Sequence, residues 1–283
     1  TELTLLEKNL AERQIKRQNW DGMLETLQQI PMDEKLVQLA EDVQYYLGFF
    51  LLVRDMKGRG YSFCMPEETD KLEVKQGYDL ALALRSEKEV IANDCNLQND
   101  ERFFVITGAN GGGKTTYARM IGQILYFAKM GLLVPCEQAG VPNYTTILSH
   151  FSNDESEMSG KGKLVEELTR LKPMMQEKWS GSFVILNELF TTAATWDAGI
   201  MGQKVLDYFM SHDCYGIYVT HIQSLAKERD GLVSLVAELA DDHHTRSFKI
   251  TRKPASEAEY EDSLITKYNM TENQMKAVIG HED

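Results

Sequence analysis

A glycine-rich loop between an apolar segment and a helical one constrains the fold of this chain more than any other feature. Residues 103–107 are apolar and β-branched, and residues 115–130 have helical spacing. Between them, the residues that fit G-x-x-x-x-G-K-[ST] are Gly108, Ala109, Asn110, Gly111, Gly112, Gly113, Lys114 and Thr115. In such a loop the backbone N–H groups face phosphate oxygens and the lysine adds a positive charge. The hydroxyl of the final serine or threonine reaches Mg²⁺. We therefore predict a P-loop that binds ATP with Mg²⁺, with Thr116 as a further contact.

Short apolar runs alternate with helical segments in the rest of this region. Residues 183–186 and 216–220 read as buried strands, preceded by helices at 163–176 and 198–210, and 248–251 reads as an edge strand. This alternation predicts an α/β fold with a mostly parallel sheet flanked by helices. Residues 1–57 read as a small N-terminal helical segment, in which Asp33 caps a helix that Gly58 and Gly60 end. The tail, 257–279, reads as two short helices.

Polar residues follow two of the predicted strands. Asn187 and Glu188 come directly after the strand at 183–186, and His221 follows the strand at 216–220. Ligands of α/β sheets bind outside the carboxyl ends of the strands, so we expect Glu188 as general base, with Lys114 and His221 as catalytic partners at the γ-phosphate. Thr115, Asn187 and Glu188 are the candidate metal ligands. The alternatives are that Glu188 is merely solvated and that His221 is structural.

Composition narrows the class of protein. The 283 residues carry a formal net charge of -13, which argues against a chain that coats nucleic acid by itself. The four cysteines have no metal-ligand or redox spacing and read as free core thiols. Without a signal peptide or an apolar run of about 18 residues, we expect a cytoplasmic protein with no membrane partner.

Taken together, these segments resemble the C-terminal ATPase domain of the MutS family, an ABC-type ATPase. Residues 107–117 (TGANGGGKTTY) are similar to the family's TGPNMxGKSTY, and residues 131–137 match its G-x-x-V-P-A-E. Residues 187–198 and 219–221 cover its DEIGRGTSTxDG and ATH motifs. The resemblance implies a P-loop NTPase of ABC type at 71–283 and, at 1–70, a helical stub like the end of the lever region. It covers roughly residues 40–283.

The resemblance also implies further site residues. Val90 and Ile91 stand where the family flanks the adenine. A loop that would reach the partner subunit's nucleotide, with Glu167 after it, consists of Ser159, Gly160, Lys161, Gly162 and Lys163. The implied protein is a homodimer that binds and hydrolyses ATP with Mg²⁺ and couples this to DNA-associated helical arms, with DNA contacted by other parts of a longer chain.

The sequence departs from the family at three points. Gly162 stands in place of the family's signature serine, and Asn187 stands in place of its Walker B aspartate. Residues 190–194 replace the family's GRGTS turn. These changes suggest a divergent MutS-like branch. They also motivate an alternative function, a nucleotide-gated dimerising scaffold with little or no hydrolysis. A transport or chromosome-structure ATPase and a small-molecule kinase have less support.

Overall fold

The computed structural model describes residues 34–98, 100–151, 162–240 and 245–255. Its α-helices are α1 (Glu34–Gly58), α2 (Leu80–Arg85), α3 (Lys114–Lys129), α4 (Lys163–Leu171) and α5 (Thr195–Ser211). Short 3₁₀ helices occupy Lys172–Met174, Glu177–Trp179 and Gln223–Ala226. The strands are β1 (Glu67–Glu68), β2 (Leu72–Gly77), β3 (Asn93–Leu97), β4 (Phe103–Gly108), β5 (Gln138–Val141), β6 (Ile147–Phe151), β7 (Phe183–Asn187), β8 (Tyr215–Val219), β9 (Leu232–Leu239) and β10 (Arg246–Arg252).

Contacts divide the chain into two compact units, Thr1–Asp55 and Met56–Asp283. The described part of the first unit is helical, as the apolar spacing predicts, and the helix ends at Gly58. Large apolar side chains of this helix are exposed, among them Leu39, Val43 and Phe50. Both hydrophobic clusters of the described residues lie in the second unit.

The main sheet has six strands in the order β10-β9-β4-β8-β7-β6. Its neighbours from β9 to β6 are all parallel, and β10 pairs antiparallel with β9 at one edge. The prediction of a mostly parallel sheet with an edge strand near residue 250 is therefore confirmed. Because the five parallel strands point the same way, their carboxyl ends form one edge of the sheet.

Side chains of the central strands alternate between two cores. Phe104 and Ile106 face the side covered by α3, whereas Phe103 and Val105 face the side covered by α5 and the end of α4. This double burial explains why the central strands read as continuous apolar runs. Among the residues that the structure describes, no helix is long and apolar enough to cross a membrane.

A second, smaller sheet lies against the α3 side of the core, in the order β1-β5-β2-β3. Its strands β5, β2 and β3 are antiparallel, and β1 pairs parallel with β5. The sequence pattern did not predict it. The helix predicted at 163–176 was also too long, because α4 ends at Leu171 and Pro173 cannot continue its hydrogen bonding.

The four cysteines are free, as predicted, and three of them are buried. Two that are remote in sequence nevertheless lie together, since the Sγ atoms of Cys64 and Cys136 are 3.4 Å apart. The predicted helices at 1–33 and 257–279 lie outside the described residues.

Candidate nucleotide site

The glycine-rich loop connects β4 to α3 at the carboxyl edge of the main sheet. Gly108, Gly111 and Gly113 have φ angles of 109°, 72° and 95°. L-residues with a side chain rarely adopt this left-handed region, whereas glycine does so at little steric cost. These three left-handed glycines curl the backbone just before α3. The N–H groups in the first turn of α3 have no partner within the helix. Such a concavity is suited to an anion.

Close packing beneath the loop excludes side chains at two of its glycines. A Cβ at Gly108 would lie 2.9 Å from the carbonyl oxygen of Ala237. A Cβ at Gly112 would lie 2.9 Å from the carbonyl oxygen of Ala109 and 2.9 Å from the Cβ of Ala237. The loop therefore rests directly on β9, and its backbone is held by this contact.

Lys114 is the cation of the loop and is only 4% exposed. Its Nζ donates to the carbonyl oxygens of Gly108 at 2.8 Å and Ala109 at 3.1 Å. Burial lowers the pKa of Lys114, the charge of Glu188 raises it, and the charge of Arg246 lowers it further. Lys114 is thus held over the loop within electrostatic reach of the carboxylate of Glu188, which follows β7.

Asn187, Glu188 and His221 lie at the same edge of the sheet as the P-loop. β8 pairs in parallel with β4 through Ile106 and Val219, and β7 pairs with β8 through Asn187 and Val219. The Glu188 N–H donates to the carbonyl of Val219 at 2.8 Å. The structure therefore brings together the strand ends that the sequence singled out, with His221 exposed at its strand end.

The candidate metal ligands are a mixed set. Asn187 is 5% exposed, and its Oδ1 has no hydrogen-bond partner among the described residues. Thr115 offers a hydroxyl and Glu188 a carboxylate. Within the described ranges, no group of three or more His, Cys, Asp or Glu side chains could hold a metal ion. An amide oxygen, a hydroxyl and one carboxylate fit Mg²⁺ in combination with phosphate oxygens, which is how this ion is usually held at nucleotide sites.

A cleft of about 440 Å³ opens beside the P-loop. Gly113 and Thr116 line it together with Val90 and Ile91, the two residues that the resemblance implies flank the adenine. The volume lies within the roughly 300–1,000 Å³ of small-molecule sites.

Two residues of this cleft, Arg246 and Phe248, were missed by the sequence analysis. Phe248 is 45% exposed and has a φ of 57°. Both stand at an irregularity where the pairing of β10 with β9 shifts register. No sequence motif marks Arg246 or Phe248. Their position at the cleft becomes clear only from this irregularity in the structure.

Two residues of the loop predicted to reach a partner subunit, Gly162 and Lys163, are among the described residues. Ser159, Gly160 and Lys161 lie outside the described residues. Gly162 precedes α4 and Lys163 begins it, and both are exposed.

Comparison with known proteins identifies similar chains. The family model described as MutS domain V matches residues 104–276. The DNA mismatch repair protein MutS of Orientia tsutsugamushi (strain Boryong) is 29% identical over 181 residues, covering 62% of this chain and 20% of that protein. MutS of Exiguobacterium sp. is 26% identical over 223 residues, covering 72% and 26%. The DNA mismatch repair protein MSH2 of Saccharomyces cerevisiae is 28% identical over 148 residues, covering 52% and 15%. The chain thus spans at most about a quarter of the length of these relatives.

Proposed function

Because this chain belongs to the MutS family, we propose that it is an ABC-type ATPase module that binds and hydrolyses ATP with Mg²⁺ in a dimer. Its nucleotide state would be coupled to DNA-associated helical arms in mismatch repair or recombination. One observation carries the proposal: the P-loop, Glu188 and His221 end three adjacent parallel strands at one edge of the sheet. The proposed domain comprises residues 71–283, with residues 1–70 as the end of a lever.

Each residue at this edge has a distinct proposed role. Backbone N–H groups of the P-loop and the ammonium of Lys114 bind the β and γ phosphates. The hydroxyl of Thr115 and the amide oxygen of Asn187 hold Mg²⁺, which neutralises phosphate charge when bound. Glu188 orients the attacking water and accepts its proton, while His221 contacts the γ-phosphate.

The cleft beside the loop supplies the base-binding part of the proposed site. Val90, Ile91 and Phe248 offer apolar and aromatic surface, on which a purine stacks favourably. Arg246 adds a second positive charge near Lys114, as its influence on the pKa of Lys114 indicates. Together they would favour a nucleoside triphosphate over inorganic phosphate.

The dimer would form two composite sites, as the family resemblance implies. One subunit supplies the P-loop, Glu188 and His221, and the other supplies the loop from Ser159 to Lys163. Gly162 lacks the hydroxyl of the family's serine, so its N–H and the charges of Lys161 and Lys163 would act instead. DNA would be contacted by other parts of a longer chain.

Nucleotide binding by the Lys114→Ala variant tests the proposal. We expect affinity for ATP to fall at least about 30-fold, because truncating a buried charged contact typically costs roughly 2–5 kcal/mol. Lys75→Ala, which removes an exposed lysine of β2, is the matched control and should bind as the parent does. Unchanged affinity in Lys114→Ala would overturn the proposal.

A second candidate function is a nucleotide-gated scaffold that dimerises but hardly hydrolyses ATP. It is favoured by the neutral side chain of Asn187, which brings no charge to the metal, and by Gly162. Loss of one preorganised transition-state donor alone costs about 3–4 kcal/mol.

Turnover and sedimentation of one sample discriminate the two functions. In an ATPase, Glu188→Gln lowers phosphate release at least about tenfold and preserves ATP-dependent dimerisation, whereas Glu73→Gln on β2 changes neither. In a scaffold, ATP with Mg²⁺ still drives dimerisation, and the trace phosphate release does not respond to Glu188→Gln. A monomer under every condition would contradict both functions.

A further inference from the structure

Helix α4 buries a carboxylate and exposes apolar residues. Glu167 is 7% exposed, whereas Val165 is 52% and Leu168 43% exposed. Leu171, one turn after Glu167, is buried in the core on the same face of the helix. A helix positioned by the hydrophobic effect alone would turn Leu168 inward and leave the acid in water, because burying a carboxylate is costly. The observed rotation of α4 therefore indicates a specific contact of Glu167.

That contact is with the turn after the strand that carries Asn187. Oε1 of Glu167 accepts a hydrogen bond from the backbone N–H of Phe190 at 2.9 Å. Burial raises the pKa of Glu167, whereas the Phe190 N–H and Arg170 lower it. The bond also gives a partner to a backbone N–H that would otherwise be buried without one.

The turn held by this bond has an unusual backbone. Glu188 has a φ of 50° and Phe190 a φ of 62°, so two residues with side chains adopt the left-handed region. Such conformations persist where surrounding contacts impose them. Here the N–H of Glu188 is bound to Val219 on one side and the N–H of Phe190 to Glu167 on the other. The direction in which the Glu188 side chain leaves the backbone depends on these two anchors.

We propose that Glu167 is a positioning residue that holds this turn so that the carboxylate of Glu188 faces the P-loop. The proposal rests on the function proposed above and names the residue that orients its general base.

The test compares Glu167→Leu with Glu167→Gln in the full chain. Leucine continues the apolar face of α4 but cannot accept the hydrogen bond, whereas the glutamine amide oxygen can. We expect Glu167→Leu to lower kcat for ATP at least tenfold, with the Kd for ATP within twofold. The melting temperature should be unchanged or higher, because removal of a buried carboxylate offsets the loss of a partner for the Phe190 N–H. Glu167→Gln should restore kcat to within threefold of the parent, and Leu168→Gln, an exposed position on the same helix, should leave all three quantities unchanged. Parent-like turnover of Glu167→Leu, or a parallel loss of binding and stability, would overturn the proposal.

Hydrogen exchange separates failure of this proposal from failure of the proposed ATPase. In the full chain, the amide of Phe190, followed in a peptide covering residues 187–192, should exchange faster in Glu167→Leu than in the parent or in Glu167→Gln. This readout requires no turnover, so it remains decisive if the parent binds ATP without hydrolysing it. Equal exchange in all three proteins would show that Glu167 does not hold the turn.

Discussion

The side-chain amide of Asn93 holds the backbone around Phe248, 155 residues later, by donating to its carbonyl oxygen at 3.0 Å. The Oδ1 of the same amide accepts the N–H of Ile250 at 2.9 Å. One side chain of the small sheet thereby bridges the irregularity in β10 and fixes Phe248 at the cleft beside the P-loop. Asn93 lines this cleft itself and also holds the backbone that carries Phe248.

Asn93→Ala should therefore destabilise the protein and loosen the cleft. The substitution removes the two hydrogen bonds to β10 and leaves a buried N–H without a partner, so we expect the free energy of unfolding to fall by about 2–3 kcal/mol. Urea unfolding measures this change. Asn96→Ala, at an exposed position of the same strand, serves as the control and should unfold within about 0.5 kcal/mol of the parent. Equal midpoints for the two variants would contradict the bridging role.

Phe248→Ala should weaken binding of the base without affecting phosphate binding. Aromatic stacking contributes roughly 1–3 kcal/mol per base, which corresponds to about 5- to 150-fold in affinity. Titration with ATP should show this loss, while titration with inorganic triphosphate should give parent-like affinity. If both ligands are weakened alike, Phe248 acts on the P-loop and not on the base.

Gly112→Ala should damage the phosphate site by steric conflict. Its Cβ would meet Ala109 and Ala237 at 2.9 Å, so the loop must shift away from β9, and we expect ATP affinity to fall at least about tenfold, a loss of roughly 1.4 kcal/mol. Gly131→Ala is a useful comparison because its φ is +70° and the space around it is open. That variant should lose about 1 kcal/mol of stability through backbone strain and bind ATP normally. Binding by Gly112→Ala at the parent's level would show that the loop does not need this contact.

Asn187→Asp should strengthen Mg²⁺ binding and weaken the metal-free fold. A carboxylate adds charge to the proposed ligand set, so the Mg²⁺ concentration for half-maximal turnover should fall severalfold. Without metal, the new charge is buried, and the free energy of unfolding should drop by about 1–3 kcal/mol. Metal titration of turnover and thermal unfolding with and without Mg²⁺ check both effects. A higher Mg²⁺ requirement would argue that residue 187 does not contact the metal.

Glu167→Gln should stabilise the protein at neutral pH. Burial raises the pKa of Glu167 above its value of about 4.3 in the unfolded chain. The folded state therefore retains this proton to higher pH than the unfolded chain does. The free energy of unfolding contributed by Glu167 therefore falls as pH rises through the interval between the two pKa values. The stability of Glu167→Gln relative to the parent should increase between pH 4 and pH 7, as measured by urea unfolding. A flat difference for Glu167→Gln would contradict the assigned shift.

Local patterns predicted the central part of this molecule well. The strands β4, β7 and β8 are buried on both faces and hence read as apolar runs, and left-handed glycines mark the loop after β4. The small sheet was missed because β2, β3 and β5 have four to six residues each and alternate buried with exposed positions. Short alternating segments of this kind depend on pairing with distant strands.

The remaining parts of the candidate site were hidden for the same physical reason. Phe248 reaches the cleft through a left-handed backbone that depends on Asn93, a contact between residues far apart in sequence. The burial of Glu167 is likewise decided by a backbone N–H of another element and runs against the apolar pattern of its own helix. Motifs identify residues whose role depends on their neighbours in sequence. The roles of Phe248 and Glu167 depend on contacts that form only when distant segments pack together.

The order of strands in the main sheet has a consequence for how the chain folds. Between β8 and β9 the chain crosses the P-loop strand β4. This strand therefore lies between β8 and β9, the last two of the parallel strands in sequence. The P-loop thus precedes β8 and β9 in sequence, and Gly108 and Gly112 gain their close contact with Ala237 only when β9 pairs with β4. A nucleotide that binds only the completed P-loop would stabilise fully folded molecules. Chains in which β9 has not yet paired with β4 would gain no such stabilisation and would stay susceptible to proteolysis.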